Sequence, residues 1–253
     1  MRIAVAGGTG AAGRYVVAAA RRAGHEVVVL SRSSGVDVRT GDGLPEALRD
    51  VEVVIDTTNA ATTNRAKATA FFTDVAGQLQ AVAAAQGVAR LVALSIVGLE
   101  RVPGFGYYEA KLAHEEALRA GPLPVTIVRA TQFHEFPAQV LSRAGVGPLA
   151  LVPVMRIQPV AARAVGEALV GIAAQPTVTD VEIAGPEEKN LVALARAVLR
   201  KRDTRAVVVP LPVPGRAGRA MRAGGQLPSP GACIVGPTFE EWLDGEDLAA
   251  MFA

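Results

Sequence analysis

Only one cysteine, Cys233, occurs in the 253 residues, so no intramolecular disulfide is possible, and no Cys/His cluster offers a zinc site. The three histidines, His25, His114 and His134, are scattered, and no metal is expected. Lysine is scarce too: Lys67, Lys111, Lys189 and Lys201 stand among 26 basic residues, the rest being arginine. No uninterrupted apolar run reaches membrane-spanning length. A net charge of +2 makes no case for nucleic acid or an acidic membrane as partner. With a strand expected from residue 2, no cleavable leader is expected, and the default location is the cytoplasm. What is present, 50% hydrophobic and 20% charged residues, fits a compact α/β protein of one large domain, or a core with a small appendage.

Strand and helix patterns alternate, which implies a parallel sheet covered on both faces. Strands are expected at residues 1–6, 26–30, 51–55, 90–96, 125–128 and 181–184, with a further short one at Val36-Asp37-Val38. Helices are expected at 11–23, 45–49, 66–86, 107–120, 161–174 and 190–201. Beyond about Gly185 the texture changes: 207–212 is extended and broken by prolines, and Thr238 with Glu241 forms a capping box for a last helix through Trp242 and Leu248. The division expected is a nucleotide-binding core at 1–185 and a small region at 186–253 that closes a substrate pocket.

The most informative segment is Gly7-Gly8-Thr9-Gly10-Ala11-Ala12-Gly13, between an apolar strand and an alanine-rich helix. A strand, a tight glycine turn and a helix N-terminus together make a site for a dinucleotide pyrophosphate. Gly7 lets the chain leave the strand, Gly10 removes a side chain where phosphate approaches, and Gly13 lets the helix pack closely. Gly7, Thr9, Gly10, Ala11, Ala12 and Gly13 are therefore the expected pyrophosphate contacts. The second strand ends in Leu30-Ser31-Arg32-Ser33, with no Asp or Glu to accept from ribose hydroxyls. Ser31 and Arg32 suit a 2′-phosphate instead, so NADP(H) is expected in preference to NAD(H). Thr57 and Thr58, after the 51–55 strand, are expected along the phosphate and ribose side.

Tyr107 and Lys111 are four residues apart, on one face of a helix. A tyrosine hydroxyl near pKa ~10 needs a neighbouring cation to become useful near neutrality. Lys111 is the expected source and can also reach a ribose, while Ser95, at a strand end, is placed to polarise a carbonyl. That is equipment for carbonyl–alcohol hydride transfer. Tyr108 competes with Tyr107, but its partner four residues on is Leu112.

The motifs Gly7-x-x-Gly10-x-x-Gly13, Ser95 and Tyr107-x-x-x-Lys111 resemble the short-chain dehydrogenase/reductase superfamily over essentially the whole chain. The turn spacing, Arg129-Ala130-Thr131-Gln132-Phe133 and Ile183-Ala184-Gly185-Pro186-Glu187 are most similar to its atypical or extended, NmrA-like branch. The resemblance implies a Rossmann-type doubly wound parallel sheet, an NAD(P) cofactor, Ser95, Tyr107 and Lys111 as catalytic residues, and Asp42 as an adenine contact. The function expected is NADPH-dependent reduction of a small carbonyl or quinone-like substrate. Two other readings stay open: an NADP(H) sensor without turnover, and an epimerase or dehydratase that keeps its cofactor. The sequence departs from the superfamily's best-known dehydrogenases at Asp56-Thr57-Thr58-Asn59-Ala60, which replaces an asparagine-rich turn. Phe105, Phe133, His134, Phe136 and Met155 are expected to line a substrate pocket. His25 and His114 are expected at the surface, the arginines at 216, 219 and 222 on a solvated face, and Cys233 as a packed small hydrophobe.

Overall fold

Every strand of the central sheet is short and apolar, and in a computed structural model these segments pair as neighbours. The structure describes residues 1–62, 64–143, 145–146, 149–176 and 179–245. The first elements are β1 (Arg2–Ala6), α1 (Gly13–Arg22), β2 (Glu26–Leu30), α2 (Leu44–Ala47), β3 (Val53–Asp56), α3 (Arg65–Ala85), β4 (Arg90–Ile96), α4 (Gly106–Arg119) and β5 (Val125–Ala130). Then come α5 (Phe136–Arg143), β6 (Gly145–Val146), β7 (Leu149–Pro153), β8 (Arg156–Ile157), α6 (Ala162–Ala173), β9 (Val181–Ala184) and β10 (Lys189–Asn190). The last are α7 (Leu191–Lys201), β11 (Val207–Leu211), α8 (Gly215–Arg222), β12 (Cys233–Ile234) and α9 (Phe239–Asp244). Leu248, expected in the last helix, lies outside the described residues.

Two compact units result. One comprises Met1–Ile96, Gly106–Arg129 and Arg163–Val181; the other comprises Val97–Phe105, Ala130–Ala162 and Glu182–Ala253. The second unit therefore draws on three segments, where the sequence pattern suggests a single division near residue 185.

In the first unit the strands run in the order β5-β4-β3-β1-β2. Val5 pairs with Val29 on one side and Ile55 on the other, and Ile55 with Val92, all in parallel register. The order reverses at β1: the chain steps one way to β2 and then crosses back to β3. Right-handed crossovers in opposite directions place α1 and α3 on opposite faces of the sheet. The carboxyl ends of β1 and β3 thus flank a switch point, where open α/β sheets bind ligands. Both faces being covered, all four residues of β3 are buried, which explains an apolar run instead of an alternation.

Helix α3 buries Ala68, Phe72, Val75, Ala76, Leu79, Gln80 and Ala83, a helical spacing down one face, and Asn64 Oδ1 caps it by accepting from the Lys67 amide at 3.0 Å. Gln80 is buried there because its amide is satisfied: it donates to the carbonyls of Leu118 and Leu123 and accepts from the Leu123 amide. The expected strand at Val36-Asp37-Val38 is absent. Asp37 instead closes a loop, its amide donating to Asp42 and its carbonyl accepting from Gly41, while Val36 joins the core.

In the second unit β11, β7 and β6 form a three-stranded sheet, β8 pairs with β10, and β9 with β12. Thr238 and Glu241 make the expected capping box at the start of α9, burying Phe239 and Trp242. Cys233 is exposed on β12, not packed, because that strand end leaves its thiol side open.

Candidate functional site

The turn after β1 closes so tightly that side chains are excluded. Gly7 has φ +72°, and a Cβ on Gly13 would lie 2.1 Å from the Gly7 carbonyl oxygen and 2.7 Å from Thr57 Oγ1. The Gly10 amide donates to Gly7 at 2.8 Å, which folds the turn back under the start of α1. That helix begins at Ala12 with no side-chain cap and no acidic residue in its first turn. Its leading N–H groups and its dipole therefore suit an anion. Facing the turn, Thr57 is pinned to Ala6 by its amide at 2.9 Å and its hydroxyl at 2.8 Å. Thr58 Oγ1 is buried with no hydrogen-bond partner among the described residues. A buried orphan hydroxyl beside an uncapped helix start is what a bound dinucleotide would satisfy, so the residues present fit that group.

At the end of β2, Ser31 begins a 3-10 turn, with Gly35 left-handed at its close. Ser31 Oγ is 2.9 Å from Ser33 Oγ and 3.1 Å from Ser34 Oγ, and the Arg32 side chain is exposed. Asp42 is exposed, its carboxylate held by Thr40 Oγ1 at 2.7 Å.

Tyr107 and Lys111 share α4 as expected, yet the structure does not join their polar ends. Tyr107 Oη donates to Asn59 Oδ1 at 2.5 Å, and burial pushes its pKa up to about 12. Lys111 Nζ turns inward, donating to the Leu94 carbonyl at 3.0 Å and to His114 Nδ1 at 3.1 Å. Between them lies Phe72: its ring meets Tyr107 edge-on at 6.0 Å, stacks on His114 at 4.9 Å and has the Lys111 ammonium 4.6 Å from its centre. His114 is buried, a correction to its expected surface position, because its Nε2 stands 3.0 Å from the buried Asp56 carboxylate. Burial, with the Lys111 ammonium beside the ring, lowers the His114 pKa. Burial raises the Asp56 carboxyl, but His114, Lys111 and the Thr58 amide outweigh it and hold the pKa at about 2. Burial brings Lys111 down to about 8 against the pull of Asp56 and Glu115.

Ser95 sits in a second buried network. Its hydroxyl donates to Glu115 Oε1 at 2.5 Å, and Glu115 also accepts a two-pronged contact from Arg129 and one from Arg119. The one hydroxyl proton expected to polarise a carbonyl is therefore committed to a carboxylate.

A sequence model described as NAD(P)H-binding matches residues 7–176, more than half of the chain. The chain belongs to the NAD(P)H-binding family. The match spans the glycine turn, Thr57, Thr58, Tyr107 and Lys111 together, and it agrees with the resemblance to atypical short-chain dehydrogenase/reductases. A comparison with curated proteins finds no sequence match. Among solved structures, a short-chain dehydrogenase/reductase superfamily protein from Agrobacterium tumefaciens with bound NAD is 19% identical, with 100% of this chain and 98% of that one covered and a TM-score of 0.69. A dTDP-4-dehydrorhamnose reductase from Bacillus anthracis in complex with NADP is 13% identical, covering 96% and 97%, TM-score 0.68. A UDP-N-acetylglucosamine 4-epimerase from Bacillus cereus is 15% identical, covering 83% and 85%, TM-score 0.62. At these identities the likeness establishes the Rossmann-type fold alone.

In the second unit of this NAD(P)H-binding protein, the expected pocket residues are placed variously. His134 is fully buried, packed against Phe239 and Trp242, with Nε2 3.1 Å from the Pro237 carbonyl; burial takes its pKa down to about 4. Met155 is core, while Phe105, Phe133 and Phe136 are half-buried. Asn59, Phe72, His114 and Glu115 carry roles the sequence reading did not assign. For Glu115 a signal was available: Tyr108, Lys111, Glu115 and Leu118 recur at helical spacing on one face of α4. Among the described residues, no helix is long and apolar enough to cross a membrane.

Proposed function

We propose that the protein is an NADPH-dependent reductase of a small carbonyl or quinone-like substrate, with Tyr107 as proton donor. The observation that carries this reading is the Tyr107 hydroxyl, held by Asn59 one residue beyond the orphan Thr58 hydroxyl at the cofactor cradle. When bound, the nicotinamide cofactor supplies hydride to the carbonyl carbon. Tyr107 Oη delivers its proton to the carbonyl oxygen, giving the alcohol, and is reprotonated from solvent. A phenol raised to about 12 holds its proton throughout the physiological range, so the donor form is fully populated before each turnover.

Two outcomes follow from that proton. Tyr107→Phe lowers kcat for carbonyl reduction by roughly a hundredfold or more, the usual range for losing a general acid, with little change in cofactor Kd. In the oxidative direction the needed phenolate grows about tenfold per pH unit below its pKa, so alcohol oxidation by the parent climbs without a plateau up to pH ~10. A Tyr107→Phe enzyme with undiminished turnover, or an oxidation plateau near pH 7, contradicts the role.

Support for NADPH preference is the acid-free end of β2, where an exposed Arg32 and the neighbouring Ser31 and Ser33 hydroxyls are the groups available to hold a 2′-phosphate. Removing a charged partner of a phosphate costs about 1.5–3 kcal/mol. Arg32→Ala is therefore expected to weaken NADPH by roughly ten- to a hundredfold and NADH by less than about threefold, read by titration of both cofactors. Equal losses for both overturn the preference.

A second reading, an NADP(H)-sensing protein without turnover, is favoured by Ser95 and Lys111, whose polar ends are engaged inside the fold. An epimerase or dehydratase, as among the structural neighbours, would instead retain oxidised cofactor. Following NADPH absorbance against a carbonyl panel separates the three: net consumption supports the reductase, and binding without consumption supports the sensor. Tightly held oxidised cofactor supports the third.

A further inference from the structure

Within the first unit, the Tyr107 hydroxyl is held where the loop after β3 meets the start of α4. The Tyr107 ring packs on a small buried cluster of Ala60, Ala68, Phe72 and Ala110, so Asn59, next to Ala60, is carried to the phenol by that cluster. The two helix starts lie close: Arg65 Nε meets Glu109 Oε2 at 2.9 Å, and a Cβ on Gly106 would stand 2.9 Å from the Arg65 Cβ. On the other side of Asn59, the Thr58 amide donates to Asp56 Oδ1 at 2.8 Å. The backbone of Asn59 is thus anchored through both neighbours, while its exposed side chain has room to turn. A phenol has one proton, and Tyr107 donates it to Asn59 Oδ1 at 2.5 Å, which withholds it from a substrate. A half-turn of the carboxamide exchanges acceptor for donor at the same place, bringing Nδ2–H to Oη and freeing that proton. Burial pushes the phenol up to about 12, so its phenolate is costly there and gains most from a neighbouring N–H.

We propose that Asn59 is the positioning residue of the proton donor: its Oδ1 holds the Tyr107 hydroxyl at rest, and its turned Nδ2–H supports the phenolate as the proton leaves. In that step the phenol O–H bond breaks and an O–H bond forms at the substrate oxygen, whose carbon takes up hydride as in the reading above. The negative charge left on Oη is shared with the Asn59 N–H until solvent returns a proton. The proton step rests on the reductase reading; the contact between Asn59 and Tyr107 does not.

The experiment compares kcat, KM and cofactor Kd for Asn59→Ala and Asn59→Asp, each made in the parent and in Tyr107→Phe. Aspartate keeps the shape and the acceptor but, ionised, has no N–H to offer. Both variants are expected to lower kcat for carbonyl reduction by roughly ten- to a hundredfold, with KM and cofactor Kd changed by less than about twofold. In the Tyr107→Phe background the same substitutions should cost less than about twofold, because Asn59 acts through the phenol. Parental kcat in either variant overturns the proposal, and so does an equal loss in both backgrounds. The contact itself is read without turnover, from the side-chain amide resonance of Asn59 in the cofactor-free full chain. Tyr107→Phe is expected to shift that resonance, and an unshifted one also overturns the proposal. If the parent consumes no NADPH with any carbonyl, the reductase reading fails and the proton step with it, while the resonance still decides whether Asn59 holds Tyr107.

Discussion

Replacing Gly13 with alanine is expected to abolish NAD(P)H binding at concentrations that saturate the parent. The added carbon would stand 2.1 Å from the Gly7 oxygen, 2.7 Å from the Gly7 carbonyl carbon and 2.7 Å from Thr57 Oγ1. Two of these neighbours are backbone, so neither can swing aside. Either α1 lifts from the turn or the turn opens, and in both cases the N–H groups at the helix start leave their common focus. Losing two or more charge-assisted hydrogen bonds to a pyrophosphate corresponds to roughly a hundredfold or greater fall in affinity. Overpacking should also destabilise the fold by about 1–3 kcal/mol. Gly77→Ala, in the middle of α3 where a Cβ meets nothing within 4 Å, is the control. It should leave affinity unchanged and stabilise by about 0.5–1 kcal/mol. Calorimetric titration and thermal melting of the two variants together check the argument.

Glu115→Ala is expected to have the largest effect on stability. It strips the acceptor from Ser95, Arg129 and Arg119 in one step and leaves the Arg129 guanidinium without its two-pronged carboxylate. Breaking a buried ion pair from one side costs about 3–5 kcal/mol. For a chain of this size that is a fall in Tm of roughly 10 °C. Burial pushes the Glu115 carboxyl up, but Arg129, Ser95 and Arg119 together hold its pKa below the ordinary glutamate range. A depressed folded-state pKa means the contribution is present above the unfolded value near 4.5 and is lost as pH falls through the folded one. The difference between parent and variant should therefore narrow in acid. Urea unfolding at neutral pH and again at pH ~3 measures it; a loss under about 1 kcal/mol at neutral pH would show the network to be ornamental.

What could be read from the sequence was whatever depends on neighbours along the chain. The β1–turn–α1 unit was legible because an apolar run, spaced glycines and an alanine-rich helix adjoin one another. The Thr238/Glu241 box was legible for the same reason. Val36-Asp37-Val38 misled because two valines flanking one acid mimic an alternating strand, while Asp37 is consumed by a loop closing on Gly41 and Asp42. His114 misled more deeply. A helix carrying Lys, His and Glu on one face reads as solvated. Here that face is dry because Asp56 and Arg129, remote in sequence, arrive from the ends of β3 and β5 to neutralise it. Tyr107 and Lys111 were correctly placed on one helix, but only the fold reveals Phe72 standing between their polar ends.

The most direct test of the account is a calorimetric titration of the purified parent protein with NADPH and, separately, NADH at fixed ionic strength. The glycine turn, the uncapped start of α1 and the acid-free end of β2 predict one NADPH site per chain, with a Kd in the micromolar range or below and at least about tenfold tighter than for NADH. No heat from either cofactor up to millimolar concentration, or tighter binding of NADH, would contradict it.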